Sequence, residues 1–179
     1  MKKWIVANQK HLIVWAVLLI YIASANQLYV DLVLREGKPV SKNEPLPTET
    51  RPIVYQLSDT LQPVRRNGEN LYELDGYAFF QDNPLEQTQI KIVLYSPTLK
   101  LTFPTQAAKY PDMIQSYSGY KPGMDPTQFS LLLSKNALKP GTYQVFILLD
   151  GNNGEDQAYV MTTGTILKTP NKITYQLAP

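Results

Sequence analysis

The sequence predicts an all-β fold: an antiparallel β-sandwich carried behind one N-terminal apolar helix. Three observations predict it. Beyond residue 52 the chain runs as eight or nine short segments rich in alternating, β-branched and aromatic residues, punctuated by Pro, Gly and Asn. No stretch there keeps an apolar period of 3.6 residues over three turns. The one long apolar run is Leu12 to Val30. A barrel is the alternative architecture.

The N-terminal segment sets the location. Lys2, Lys3, Lys10 and His11 precede it, and no acidic residue occurs before Asp31. A basic flank before an apolar run is an export signal with its basic end held in the cytoplasm. Two readings stand. A signal-anchor helix needs roughly 20 residues, and Leu12 to Val30 supplies 19. Trp15 and Tyr29 then mark the two interfaces as an aromatic belt. Alternatively, Leu12 to Ile22 is a signal-peptide core and Ala23-Ser24-Ala25 a cleavage triplet, with the cut after Ala25. The anchor is the expectation. A helix buried in a soluble core fits the basic flank and the triplet less well. Ala16, Ala23, Ser24 and Ala25 are also small enough to pack against another membrane helix.

The resulting organisation is a cytoplasmic stub over 1–11, a membrane segment over 12–30, a linker over 31–51 and an extracytoplasmic domain over 52–179. Leu28 to Leu34 reads as a short strand or as the outer turn of the helix. Lys38 to Pro52 holds four prolines, so it reads as an extended spacer. The domain's strands are expected at Ile53–Leu57, Leu71–Gln81, Gln89–Tyr95, Leu99–Phe103, Thr127–Ser134, Thr142–Asp150, Ala158–Lys168 and Lys172–Leu177. Asn67-Gly68 predicts a tight hairpin turn, and Pro140-Gly141 a turn into the strand that follows.

The series Gly76-Tyr77-Ala78-Phe79, then Val93-Leu94-Tyr95-Ser96, then Leu138-Lys139-Pro140-Gly141-Thr142-Tyr143 resembles the immunoglobulin-like β-sandwich modules of bacterial envelope proteins, some of them linked to surface polysaccharide. The resemblance covers residues 70 to 167. It implies an immunoglobulin-like fold and transfers no functional residue, since sandwiches host unrelated functions.

Composition excludes several chemistries. Three of the 17 basic residues precede Leu12 and none of the 15 acidic ones does, so the exported part is near neutral. That argues against nucleic acid, whose binding depends on neutralising phosphates. There is no cysteine, and the single histidine is His11. Ser-His-Asp and Cys-His catalysis and His/Cys zinc sites are therefore outside the domain's means. The absence of cysteine and of glycosylation sequons suits a bacterial envelope protein. Carboxylates remain: Asp75, Asp82, Glu86, Asp112, Asp125, Asp150, Glu155 and Asp156. A pair of them could in principle hydrolyse a glycoside, but nearly all lie in or beside turn signals, where Asp serves the backbone.

Two stretches carry candidate sites. In Asp150-Gly151-Asn152-Asn153-Gly154-Glu155-Asp156, the oxygens of Asp150, Asn152 and Asp156 have the first, third and seventh spacing of a calcium loop. Gly154 at the fifth place and Met161 at the twelfth depart from it, so a plain hairpin loop is preferred. Lys109 to Met124 is a long loop carrying Tyr110, Tyr117, Tyr120 and Lys121. Tyrosine pairs a flat apolar face with a polar tip, which suits a partner protein or a sugar ring. The alternative is that these rings cap the open end of the sandwich.

The sequence-level expectation is a non-catalytic, membrane-anchored envelope protein acting as an accessory or interaction subunit. Its partners are the lipid bilayer and one or more proteins, it needs no cofactor, and it binds no nucleic acid. A glycan-binding module is the alternative, and a carboxylate-dependent hydrolase a distant third.

Overall fold

A computed structural model describes residues 14–22, 24–25, 37–39, 51–66, 69–108, 113–151 and 156–177. The chain divides into two compact units, Met1–Leu32 and Val33–Pro179. In the first, residues 14–22 and 24–25 are helical and exposed. No helix among the described residues is long and apolar enough to cross a membrane. The helix expected over 12–30 is thus described over its middle only. Ala23 and Tyr29 lie outside the described residues, as does all of Leu28 to Leu34, while Trp15, Ser24 and Ala25 are helical.

The second unit is built of β-strands in two antiparallel sheets. The first sheet runs in the order β1 (Lys38–Pro39), β6 (Lys100–Pro104), β5 (Thr88–Tyr95), β9 (Gly141–Gly151), β10 (Asp156–Lys168), β11 (Ile173–Leu177). The second runs β2 (Ile53–Leu57), β4 (Glu69–Phe80), β8 (Gln128–Ser134), β7 (Gln106–Ala107). There β3 (Gln62–Arg66) pairs with the first half of β4 and β2 with the second half. Each sheet is open, so the strands form two layers rather than a closed barrel.

Period-two alternation builds the core. From the first sheet come Ile90, Ile92 and Leu94 of β5, Val145, Ile147 and Leu149 of β9, and Phe103 of β6. From the second come Leu74, Ala78 and Phe80 of β4, with Phe129, Leu131 and Leu133 of β8. The central strands β4 and β9 are long and β-rich in composition, which is why they read clearly in the sequence.

Three elements differ from the expectation. Lys38–Pro39, read as linker, pairs with Leu101 and Thr102. Gln62–Arg66, not among the expected strands, is one: Arg66 faces Glu69, leaving two residues between them, the count an Asn-Gly turn needs. Gln106–Ala107 is a two-residue edge strand. It arises because Thr105 carries the chain from the first sheet to the second. The Thr105 backbone N–H and hydroxyl both donate to the Ile90 carbonyl, at 3.3 and 2.7 Å.

Beyond Met161, β10 holds a bulge. Met161 faces Phe146 and Thr165 faces Gln144, so Thr162 to Gly164 lie outside the ladder with β9. Gln144 Nε2 donates to the carbonyls of Thr162 and Gly164, at 2.6 and 3.1 Å, and so satisfies the displaced backbone. The partner strand β11 pairs only with the part of β10 from Gly164 onward.

Candidate functional site

The tyrosine loop does not cap the end of the sandwich. It folds back on the outer face of the second sheet. Tyr77 and Phe79 alternate with the core residues Ala78 and Phe80, so their rings point away from the core. Ile114 and Met124, both fully buried, come down on these rings and form a second apolar cluster. Met113, Tyr117, Tyr120 and Val54 pack around it.

Short-range bonds fix this loop. Residues Ile114–Ser116 and Asp125–Thr127 are single 3-10 turns. The Ile114 N–H donates to Gln128 Oε1 at 3.1 Å, which pins the loop to β8. Successive backbone bonds follow, from Tyr117 N to Ile114 O at 2.9 Å and from Tyr120 N to Tyr117 O at 3.0 Å. Tyr117 meets Phe79 edge-on, with ring centres 5.4 Å apart, and tilts against Tyr77 at 6.2 Å. Tyr77 donates its hydroxyl to Gln56 Oε1 at 3.1 Å. Burial, with Tyr117 as a second cause, pushes the Tyr77 phenol above its ordinary value. Tyr117 and Tyr120 are half-buried and Lys121 is exposed beside them. The structure thus joins Tyr117 and Tyr120 into one surface. Part of each ring is spent on internal packing and part faces solvent. Tyr110 lies outside the described residues.

The carboxylates sort into ion pairs and hydrogen bonds. Sheet alternation sends Asp150 and Asp156 to opposite faces: Asp156 faces Gly151 in the ladder, one place along from Asp150. Asp150 accepts from Lys91 Nζ at 2.7 Å. Asp156 accepts from Arg51 at 2.5 Å. The two oxygens of the calcium-like spacing therefore do not converge, and Asn152 lies outside the described residues. Among the described residues no group of three His, Cys, Asp or Glu side chains is placed to hold a metal. Asp75 and Glu73 both accept from the buried Ser130 hydroxyl. Asp112 and Glu155 lie outside the described residues.

Arg51 is the centre of the charged network. Its guanidinium reaches Asp82 at 2.7 Å, Glu86 at 3.1 Å and Asp156, and it lies 3.7 Å over the Phe80 ring. These partners come from the loop after β4 and from the start of β10. The hydrogen bond that Arg51 donates to Asp82 is the main reason the guanidinium pKa rises, and that same bond holds the Asp82 carboxyl below its ordinary range. Sequence reading placed Arg51 in the linker. The one available signal was a cation beside the first strand with acids in several turns; their convergence is a property of the topology.

At the other end of Tyr143, the Pro140-Gly141 turn gives a second local device. The Tyr143 hydroxyl donates to the Lys139 carbonyl at 2.9 Å, tying the start of β9 to the turn before it.

Two open cavities line the gap between the sheets. One, about 250 Å³, lies where the chain changes sheets, beside Gln89, Lys91, Thr105 and Gln106. The other, about 280 Å³, lies between β2, the β10 bulge and β11. Compared with known proteins, the chain matches no family model, no curated protein and no solved structure.

Proposed function

We propose that this chain is a non-catalytic, single-pass membrane protein that presents an immunoglobulin-like sandwich outside the cytoplasmic membrane, as an accessory or interaction subunit of an envelope assembly. The observation that carries the reading is the helical run 14–22. Every side chain in it is exposed, including Trp15 at 62% and Ile20 at 66%. Each large apolar side chain left in water forgoes roughly 1.5–3 kcal/mol of burial. A bilayer removes that cost, and the basic residues before Leu12 orient the segment with its N-terminus inside.

The immunoglobulin-like reading is supported by strand order. The order β2-β4-β8-β7 corresponds to A-B-E-D, and β6-β5-β9-β10 to C′-C-F-G. The bond from Tyr143 back to Lys139 sits at the corner between the strands that correspond to E and F, where such folds place a tyrosine corner.

The test is the intact mass of the protein purified from native membranes, with co-purifying proteins identified in the same sample. A full-length mass with a stoichiometric partner supports the reading. A mass beginning at Asn26 removes the anchor and with it the membrane-subunit role. The second reading, glycan binding, draws on the half-exposed Tyr117 and Tyr120 beside Lys121. On that reading a glycan-array signal disappears in Tyr117→Ala and Tyr120→Ala; a signal retained in both rules the loop out.

A further inference from the structure

The strand β11, Ile173–Leu177, is the last strand of the first sheet, and among the described residues nothing pairs with its outer side. Its composition is unusual for such a position. Exposed strand edges are ordinarily blunted by charge, proline or brevity, because their free N–H and C=O groups recruit other strands. Three other edges here follow that rule. β1 is Lys38–Pro39, β7 has two residues, and β3 carries Pro63 and Arg65. The β2 edge has no charge, but β2 is in contact with β10. β11 reads Ile-Thr-Tyr-Gln-Leu, with no charge and no proline, and ends on the exposed Leu177.

The second cavity opens beneath this edge. Its walls include Tyr55, Gln56, Asp59, Thr163, Tyr175 and Leu177. Tyr175 is an inward-facing residue of β11, opposite the core residue Ile166. Its hydroxyl is buried and has no hydrogen-bond partner. Leaving such a group unpaired is destabilising. The ring lies over Gly164 in the β10 bulge, where a Cβ would fall 2.6 Å from Tyr175 Cε2. The absent side chain makes room for the phenol at the cavity wall. Burial chiefly, then Tyr55 and Asp59, push its pKa up to about 12, so it keeps its proton at neutral pH. Asp59 is exposed and brings a carboxylate to the same cavity.

We infer that the β11 edge and this cavity form a strand-acceptor site for an extended segment of a partner protein, with a lysine or arginine entering the cavity. In strand addition, main-chain bonds supply affinity and the pockets beneath alternate side chains supply specificity. A strand laid along β11 turns alternate side chains into the gap between β11 and β2. There a cationic side chain meets the Asp59 carboxylate, beside the Tyr175 ring. A second copy of this chain fits less well. Symmetric antiparallel pairing of β11 with itself about Tyr175 would bring only Ile173, Tyr175 and Leu177 to the cavities, with no cation for either Asp59. The inference rests on the interaction-subunit reading and names its partner's chemistry.

The test uses the detergent-solubilised full chain and a fluorescein-labelled peptide, TVTKTVT, read by anisotropy. Saturable binding is expected, weakened at least tenfold by Lys→Glu in the peptide and abolished when alternate peptide amides are N-methylated. Asp59→Asn is expected to weaken binding about tenfold. Tyr175→Phe is expected to leave binding intact and the melting temperature unchanged or raised, because the hydroxyl it removes is buried and has no partner. No binding, binding indifferent to the peptide charge or to N-methylation, or binding unchanged in Asp59→Asn overturns the inference. So does concentration-dependent self-association that protects the β11 amides from exchange. A native partner that co-purifies while the β11 amides exchange freely overturns the edge site and leaves the subunit reading standing.

Discussion

At the residue scale, Arg51 does the work of several contacts. It brings one cation to three carboxylates and covers the Phe80 ring, with its side chain only 18% exposed. Arg51→Gln leaves Glu86, itself 13% exposed, without its cation. Breaking a largely buried pair on one side costs about 2 kcal/mol by this reasoning, read as a drop of several degrees in Tm. The pH dependence follows from Asp82, whose carboxyl is held low by the Arg51 hydrogen bond. A depressed folded-state pKa contributes stability that is complete above the ordinary carboxylate value of about 3.9 and is lost as pH falls through the folded value. Wild type and Arg51→Gln should therefore differ most at neutral pH, begin to converge below about pH 4 and meet only below the depressed Asp82 value. A gap that stays constant down to pH 3 would show that the arginine acts through packing on Phe80 alone. Little of this was legible in the sequence. Charge type and turn position were visible for Asp82, Glu86 and Asp156; that the loop after β4 and the start of β10 meet one linker residue depends on strand order.

At the element scale, the strands with strong alternation were legible and the edge pieces were not. Ile53–Leu57 matches its expected bounds, and β5, β9, β10 and β11 fall within a residue or two of theirs. Each has a buried face that fixes its register. β1 and β7 are two residues long and owe their pairing to neighbours, so no periodic signal can exist for them. The Tyr loop shows the same limit. Its aromatic content was plain, yet its seat on Tyr77 and Phe79 required knowing that the outer face of β4 is itself aromatic. The β10 bulge carries a prediction of its own. In Gly164→Ala the new Cβ meets the Tyr175 ring, and forcing that overlap costs about 1–3 kcal/mol. Shortening the ring in Gly164→Ala/Tyr175→Ala should make the two losses less than additive in chemical denaturation. Strict additivity would mean that the bulge and β11 do not touch in solution as they do here.

At the scale of the whole molecule, the chain carries a basic N-terminal stretch, an exposed apolar helix and a cysteine-free two-sheet domain. The sandwich class was legible because antiparallel sheets with one buried face write their alternation into the sequence. Which face the long loop covers, and which edge stays open, depends on packing between distant strands and has no local signature. The proposed topology places the stub in the cytoplasm and the sandwich outside it. The absence of cysteine makes the test clean. Lys3→Cys reports on the stub, and Lys135→Cys on an exposed turn of the sandwich. Intact cells expressing each variant are treated with a membrane-impermeant maleimide, before and after permeabilisation. The account predicts labelling of Lys135→Cys in intact cells and of Lys3→Cys only once the membrane is opened. Labelling of Lys135→Cys only after permeabilisation would contradict it and place the domain inside the cell.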